Sequence, residues 1–418
     1  MKKRISFLLA IACLIGTLTF SGCGKDKNNN TDNGTDTGDG TNAQKTTVSL
    51  KIWSAQDDQQ MTKQMCEAYA AANTDKIYNF SYGVVGIGEA KTMILDDPDA
   101  AADVFHFSND QIADLVAAGA LAQIGGSYKE TVIAENGEGS VDAATVDGKL
   151  YAFPATADNG YFLYYNKSVF PEAPDTMEEI LAACTDGKRF AMKMSDSWYV
   201  ASFFLTAGCS FSEDKTIDFN TEAGLAAARA MNTLAKDPRF VNFGTDYDSA
   251  VVSAFGDGSV IACVSGTWLA DKIASEIGEE NLGAAKLPKI VIGGEEMQMR
   301  GFAGYKLVGV NASSEAQSEA VKLAAWLTNE TNQMKRFTDR GMGPSNTKVA
   351  QSDAVRENEV LAALAEQLQY SVSQNNVPGI YWTAAEGFGT DIVSGTVSDE
   401  TVQGMLDTLV TTVNNPIT

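Results

Sequence analysis

Histidine is nearly missing from these 418 residues: His106 is the only one. A Ser-His-Asp triad would have to use that single ring, and no nucleophile motif stands near it. Cysteine is sparse as well. Beyond residue 46 only Cys66, Cys184, Cys209 and Cys263 occur, with no Cys-x-x-Cys pair among them, which argues against a zinc site. They are expected to be free, mostly buried thiols. Basic residues number 31 against 54 acidic ones, and the formal charge of −23 disfavours nucleic acid and anionic ligands by Coulomb repulsion. After Phe20 no apolar run is long enough to span a bilayer. Gly83, Gly86 and Gly88 precede Lys91-Thr92 but lack the Gly-Lys-Ser/Thr end of a phosphate loop. Asp246 and Asp248 lack the Gly and the terminal Glu of a calcium loop and read as surface. No metal and no cofactor is expected.

What is present begins at the first residues. Lys2, Lys3 and Arg4 precede an apolar run from Ile5 to Phe20, which ends in Ser21-Gly22-Cys23. A positive start, a short apolar core and small residues before a cleavage point describe a secretory signal. A small pair followed by Cys is the bacterial lipoprotein signature, so residues 1–22 are expected to be removed and Cys23 lipidated. Residues 23–46 are almost all Asn, Asp, Gly, Thr and Lys. Such a stretch cannot bury enough surface to offset the entropy of ordering, and is expected to be a disordered tether. The expected location is the extracellular face of the cell membrane, with the lipid as the only membrane contact.

From Thr47 strands and helices alternate. Val48, Leu50 and Ile52 share one face of a strand, and Met61, Met65, Ala68, Tyr69 and Ala72 recur at helical spacing. Thr176 with Glu179 and Ser314 with Gln317 predict two capping boxes. Leu307–Val310 and Val260–Val264 are short β-rich runs beside Gly. This alternation implies an α/β protein, and the length suits two domains.

Several stretches then fall into a shared order. They include Ile52-Trp53, Asp103-Val104-Phe105, residues 148–154 (Gly-Lys-Leu-Tyr-Ala-Phe-Pro), Tyr164-Tyr165-Asn166-Lys167 and Ala254-Phe255-Gly256-Asp257-Gly258. Ser265-Gly266-Thr267-Trp268, Gly301-Phe302-Ala303-Gly304-Tyr305 and Pro378 with Tyr381-Trp382 follow. In that order the chain resembles the family 1 extracellular solute-binding proteins of sugar transporters, especially the maltose/maltodextrin-binding proteins. The resemblance implies a two-lobed periplasmic-binding-protein-like fold, each lobe a βα sheet sandwich, with a ligand cleft between them. Lobe one would hold residues 47–157 and 306–352, and lobe two 158–305 and 353–418. It also implies a monomer that captures an oligosaccharide, of maltodextrin type, by lobe closure and delivers it to the permease of an ABC importer.

A sugar offers an apolar C–H face and a rim of hydroxyls, so its site needs flat rings and polar groups. The resemblance places Phe107, Tyr161, Trp198, Trp268 and Trp382 as rings, and Asp57, Asp58, Asp110, Gln111, Asp158 and Asp196 around the rim. Trp53 and Trp326 lie among apolar neighbours and are expected in the core. Asp196 and Trp198 would point the same way if that segment were extended. Asp58, Gln111 and Glu386 stand where the maltodextrin binders often carry basic residues, which predicts a strongly acidic cleft. That leaves another glycan or a polyamine open as ligand. A secreted glycoside hydrolase, which also joins rings to paired carboxylates, is the enzyme alternative.

Overall fold

The computed structural model describes residues 45–415. The expected leader, Cys23 and nearly all of the tether lie outside the described residues. Ten strands form two main sheets: β1 (Thr47–Ser54), β2 (Ile77–Val84), β3 (Val104–Ser108), β4 (Ala152–Thr156), β5 (Phe162–Asn166), β6 (Arg189–Ala191), β7 (Phe240–Val241), β8 (Val260–Ser265), β9 (Leu282–Ala285) and β10 (Lys306–Val310). The first sheet has the order β2-β1-β3-β10-β4, and the second β9-β5-β8-β6-β7. Their direction patterns agree. In each, three neighbouring strands run parallel, the next is reversed, and the last runs with the first three.

Burial explains the strands. β1 buries Val48, Leu50 and Ile52 and exposes Thr47 and Ser49, the period of two expected of a half-covered strand. β3 is central and buried at every position, so its residues face apolar layers on both sides. The helices Gln59–Ala72 and Gln317–Leu327 cover the first sheet, packing Met61, Met65, Leu323 and Leu327 against Leu50, Ile52 and Leu307. The second sheet is a sandwich in its own right. Leu163 and Tyr165 of β5 join one core with Phe203, Phe204 and Tyr381, while Phe162 and Tyr164 join another with Val251, Ile273 and Leu361. Each sheet thus has its own apolar core, and the fold is two-lobed.

Between these cores the chain passes three times. The passages lie between Thr156 and Phe162, between Phe302 and Leu307, and between Met342 and Val349. The capping box at Thr176 and Glu179 forms, with Glu179 N donating to Thr176 Oγ1 at 3.1 Å. The one expected at Ser314 does not. Its hydroxyl donates to Asp103 instead, and the helix starts at Gln317 with Ala316 at its cap. Trp53 is buried in the first core and Trp326 donates from Nε1 to Met65 O at 3.0 Å, both structural as expected. Cys66, Cys184, Cys209 and Cys263 are free and buried, and burial pushes the Cys66 thiol up to about 12.

Candidate functional site

Ligands of open α/β sheets gather beyond the carboxyl ends of parallel strands, where loops can turn side chains into one crevice. Both sheets point such ends at a common cleft of about 660 Å³. After β1 come Ala55–Asp58, and after β2 comes Ile87. On the other side β6 is followed by Lys193, Asp196 and Trp198, β7 by Thr245–Ser249, and β8 by Trp268 and Lys272. Lys306, Arg340 and Met342 complete the first side.

The two sides differ in chemistry. The rings all belong to the second, beside several charged groups. Trp198 and Trp268 lie 6.0 Å apart between ring centroids with their planes tilted by 33°. Tyr161 stands behind Trp198, edge-on at 4.6 Å, and its hydroxyl donates to Trp198 O at 3.1 Å. Trp268 folds over Gly266, so a Cβ there would lie 1.9 Å from its ring, and only glycine leaves room. Its Nε1 donates to Asp248 Oδ2 at 3.1 Å. Asp248 keeps contact with water, yet desolvation by the surrounding cleft raises its carboxyl above the ordinary range, against the pull of that hydrogen bond.

Charges dominate the first side, where no ring lines the cleft among the described residues. Arg340 meets Asp58 Oδ1 at 3.0 Å and Asp57 Oδ2 at 3.6 Å. Lys272 reaches across from the second side to Asp57 Oδ2 at 3.0 Å. Its hydrogen bond is the main reason the Asp57 carboxyl sits below its ordinary value.

Of the residues expected from sequence, Asp57, Asp58, Asp196, Trp198 and Trp268 line this cleft. The remaining six do not. Phe107 is fully buried in the central strand of the first sheet, where neither face opens to the cleft. Asp110 accepts from Ser108 Oγ, and burial raises its carboxyl. Gln111 is spent within the first lobe, accepting from Lys91 N and donating to Ile87 O. Tyr161 supports Trp198 from beneath. Trp382 packs on the second core beside Phe302 and Tyr381. Asp158 is fully buried among the passages between lobes.

Two further expectations are corrected. Asp196 and Trp198 are not in an extended segment. Asp196 caps the helix Ser197–Thr206, accepting from Trp198 N at 2.9 Å, because a buried apolar run follows it. The cleft is also not strongly acidic: Lys193, Lys272, Lys306 and Arg340 stand against Asp57, Asp58, Asp196, Asp246 and Asp248. Asp246 and Asp248 had read as plain surface. The signal that would have found them is their place just after a short parallel strand.

The family model for bacterial extracellular solute-binding protein matches residues 64–363. The galactooligosaccharide-binding protein of Bacillus subtilis (strain 168) is 28% identical over 312 residues, covering 70% of this chain and 72% of that protein. A maltooligosaccharide ABC transporter solute-binding lipoprotein of Streptococcus pneumoniae (strain ATCC BAA-255 / R6) is 23% identical, covering 63% of this chain and 66% of that protein. Among solved structures, one with acarbose is 33% identical with a TM-score of 0.81, covering 89% of this chain and 99% of that chain.

Proposed function

The chain belongs to the bacterial extracellular solute-binding proteins, and from that footing we propose that it captures a neutral oligosaccharide between its two lobes for delivery to an ABC importer. The observation that carries this reading is the facing of Trp198 and Trp268 against the polar network of Asp57, Asp58 and Arg340 across one cleft. The rings suit the apolar faces of sugar residues, and the carboxylates and the guanidinium suit their hydroxyl rims. The reading makes Asp57, Asp58, Asp196, Trp198 and Trp268 ligand groups, and adds Asp248 and Arg340. Residues 47–157 with 306–352, and 158–305 with 353–418, would move as two bodies about the three passages, a hinge closure. Lipidation of Cys23 would hold the protein at the outer face of the membrane, a monomer presenting its closed form to a permease.

An α-gluco-type ligand is supported by the related structure with acarbose, and a galacto-oligosaccharide by the B. subtilis relative. A polyamine is less well served. Asp57, Asp58 and Asp196 already have cationic partners, and four basic side chains line the same cleft. The protein is a binding protein and not an enzyme, so bound saccharide should be released intact.

Thermal shifts against maltose, maltotriose, longer maltodextrins, galacto- and xylo-oligosaccharides and spermidine test the proposal. A ligand at 100 times its Kd adds about 2.7 kcal/mol, a readily seen shift. A shift with one oligosaccharide class is expected. A shift with spermidine alone would overturn the reading.

A further inference from the structure

We infer that Asp158 is a positioning residue that ties the Trp268 turn to all three passages between the lobes. This rests on the proposed capture of ligand between lobes. Asp158 lies on the first passage and its side chain is fully buried. Its Oδ2 accepts from Gly343 N at 3.0 Å, on the third passage. The same oxygen accepts from Thr267 Oγ1 at 3.1 Å, one residue before the stacking Trp268. Lys306 ends the second passage and begins β10, and its Nζ lies 3.0 Å from Oδ1 as a close ion contact off the hydrogen-bonding line. One carboxylate thus joins four separate stretches of chain.

The backbone repeats the arrangement. Ala157 N donates to Gly343 O at 2.8 Å, and Asn159 N to Gly304 O at 3.2 Å. At Gly343 an added Cβ would lie 3.0 Å from that of Asp158, so the third passage comes as close as side chains permit.

A charge taken wholly out of water persists only if its partners hold it there, and losing one partner leaves the rest poorly compensated. Thr267 belongs to the second lobe's side of the cleft and Lys306 to the first. Rotation of one lobe against the other changes the distance between them, and a single carboxylate cannot follow both. The geometry described here is therefore the one that Asp158 favours. Because Lys306 also faces the cleft, a saccharide hydroxyl meeting its ammonium touches the same network that orients Trp268.

The test uses the ligand-free protein first. Hydrogen exchange would be followed in peptides covering residues 155–160, 266–270, 302–307 and 341–345, in wild type, Thr267→Val, Asp158→Asn and the double variant. Thr267→Val removes one contact and is the milder change should Asp158→Asn fold poorly. The expected result is faster exchange in all four segments for Thr267→Val, with the double variant no worse than Asp158→Asn alone. Faster exchange confined to residues 266–270, or additive effects in the double variant, would overturn the inference. Maltotriose is the binding probe, and its dissociation rate is expected to rise by 10-fold or more in Thr267→Val. Unchanged dissociation would contradict the positioning role, whereas failure of maltotriose to bind wild type would count against the proposed ligand and leave the exchange result to decide on Asp158.

Discussion

The two walls of the cleft are built by sheets of the same strand pattern, and both carry charged groups, yet only one carries rings. The wall of the second sheet presents Trp198, Tyr199, Tyr247 and Trp268. The wall of the first presents Asp57, Asp58, Lys306 and Arg340, with Arg340 paired to both Asp57 and Asp58. Ring faces give area at little entropic cost, while charged groups fix direction and reject what does not match them. On this account the ring wall supplies most of the affinity and the charged wall supplies orientation. Closure is needed to use both.

The largest expected effect separates the walls by acid. His106 sits behind the charged wall only. Its Nδ1 lies 3.0 Å from Trp53 O, at the end of the strand that leads to Asp57, and its Nε2 lies 3.1 Å from the buried Arg336, one helical turn before Arg340. Burial, reinforced by the Arg336 charge, lowers His106 to about 4. The unfolded ring titrates near its ordinary 6.5, so between about 6.5 and 4 the unfolded chain binds the extra proton. Stability is therefore full above that window and is lost as pH falls through it, on the order of 3 kcal/mol at most. Urea unfolding from pH 7 to pH 4, on wild type and His106→Gln, would measure this. A stability curve of equal slope in both would detach His106 from the effect.

The ring wall is next. Trp198→Ala or Trp268→Ala should weaken saccharide binding by 10-fold or more, about 1.4 kcal/mol, without unfolding the protein. Trp382→Ala, off the cleft, should leave affinity near wild type while lowering the melting temperature; calorimetric titration with thermal melts separates the two. Gly266→Ala should weaken binding several-fold, because a Cβ there displaces the Trp268 ring. Near-UV circular dichroism would report the displaced ring.

The smallest effect belongs to the bridge between walls. Lys272 and Asp57 are each about half exposed, so Lys272→Met should change affinity only a few-fold, within the ~0.2–1 kcal/mol of exposed pairs. The change should fade in 0.5 M salt. An effect above 10-fold would mean that the charged wall carries affinity after all.

Much of the fold was legible in sequence because period-two and helical spacing survive wherever one face meets an apolar core. The strand around Leu50 and Ile52, the runs at 260–264 and 307–310 and the Thr176 cap all have this local origin. The ring wall was half legible through another local cue: Trp198 and Trp268 stand beside Ser, Asp and Gly, in contrast to Trp53. Of the charged wall, Asp57 and Asp58 were named from the resemblance but Lys306 and Arg340 were not. Arg340 meets Asp57 and Asp58 across more than 280 residues, a pairing no local pattern encodes. The resemblance names Asp158 and Tyr161 as ligand groups, and the structure buries both, which residue type alone does not reveal. Phe107 was placed by the resemblance alone, and it lies in a central strand that buries both faces.

The most direct measurement is calorimetric titration of the wild type and of the Trp198→Ala, Trp268→Ala double variant with maltotriose, a galacto-oligosaccharide and spermidine. The account predicts that one of the saccharides binds wild type in the micromolar range and loses about 100-fold or more in the double variant. Equal saccharide affinity in both proteins, or heat from spermidine alone, would contradict it.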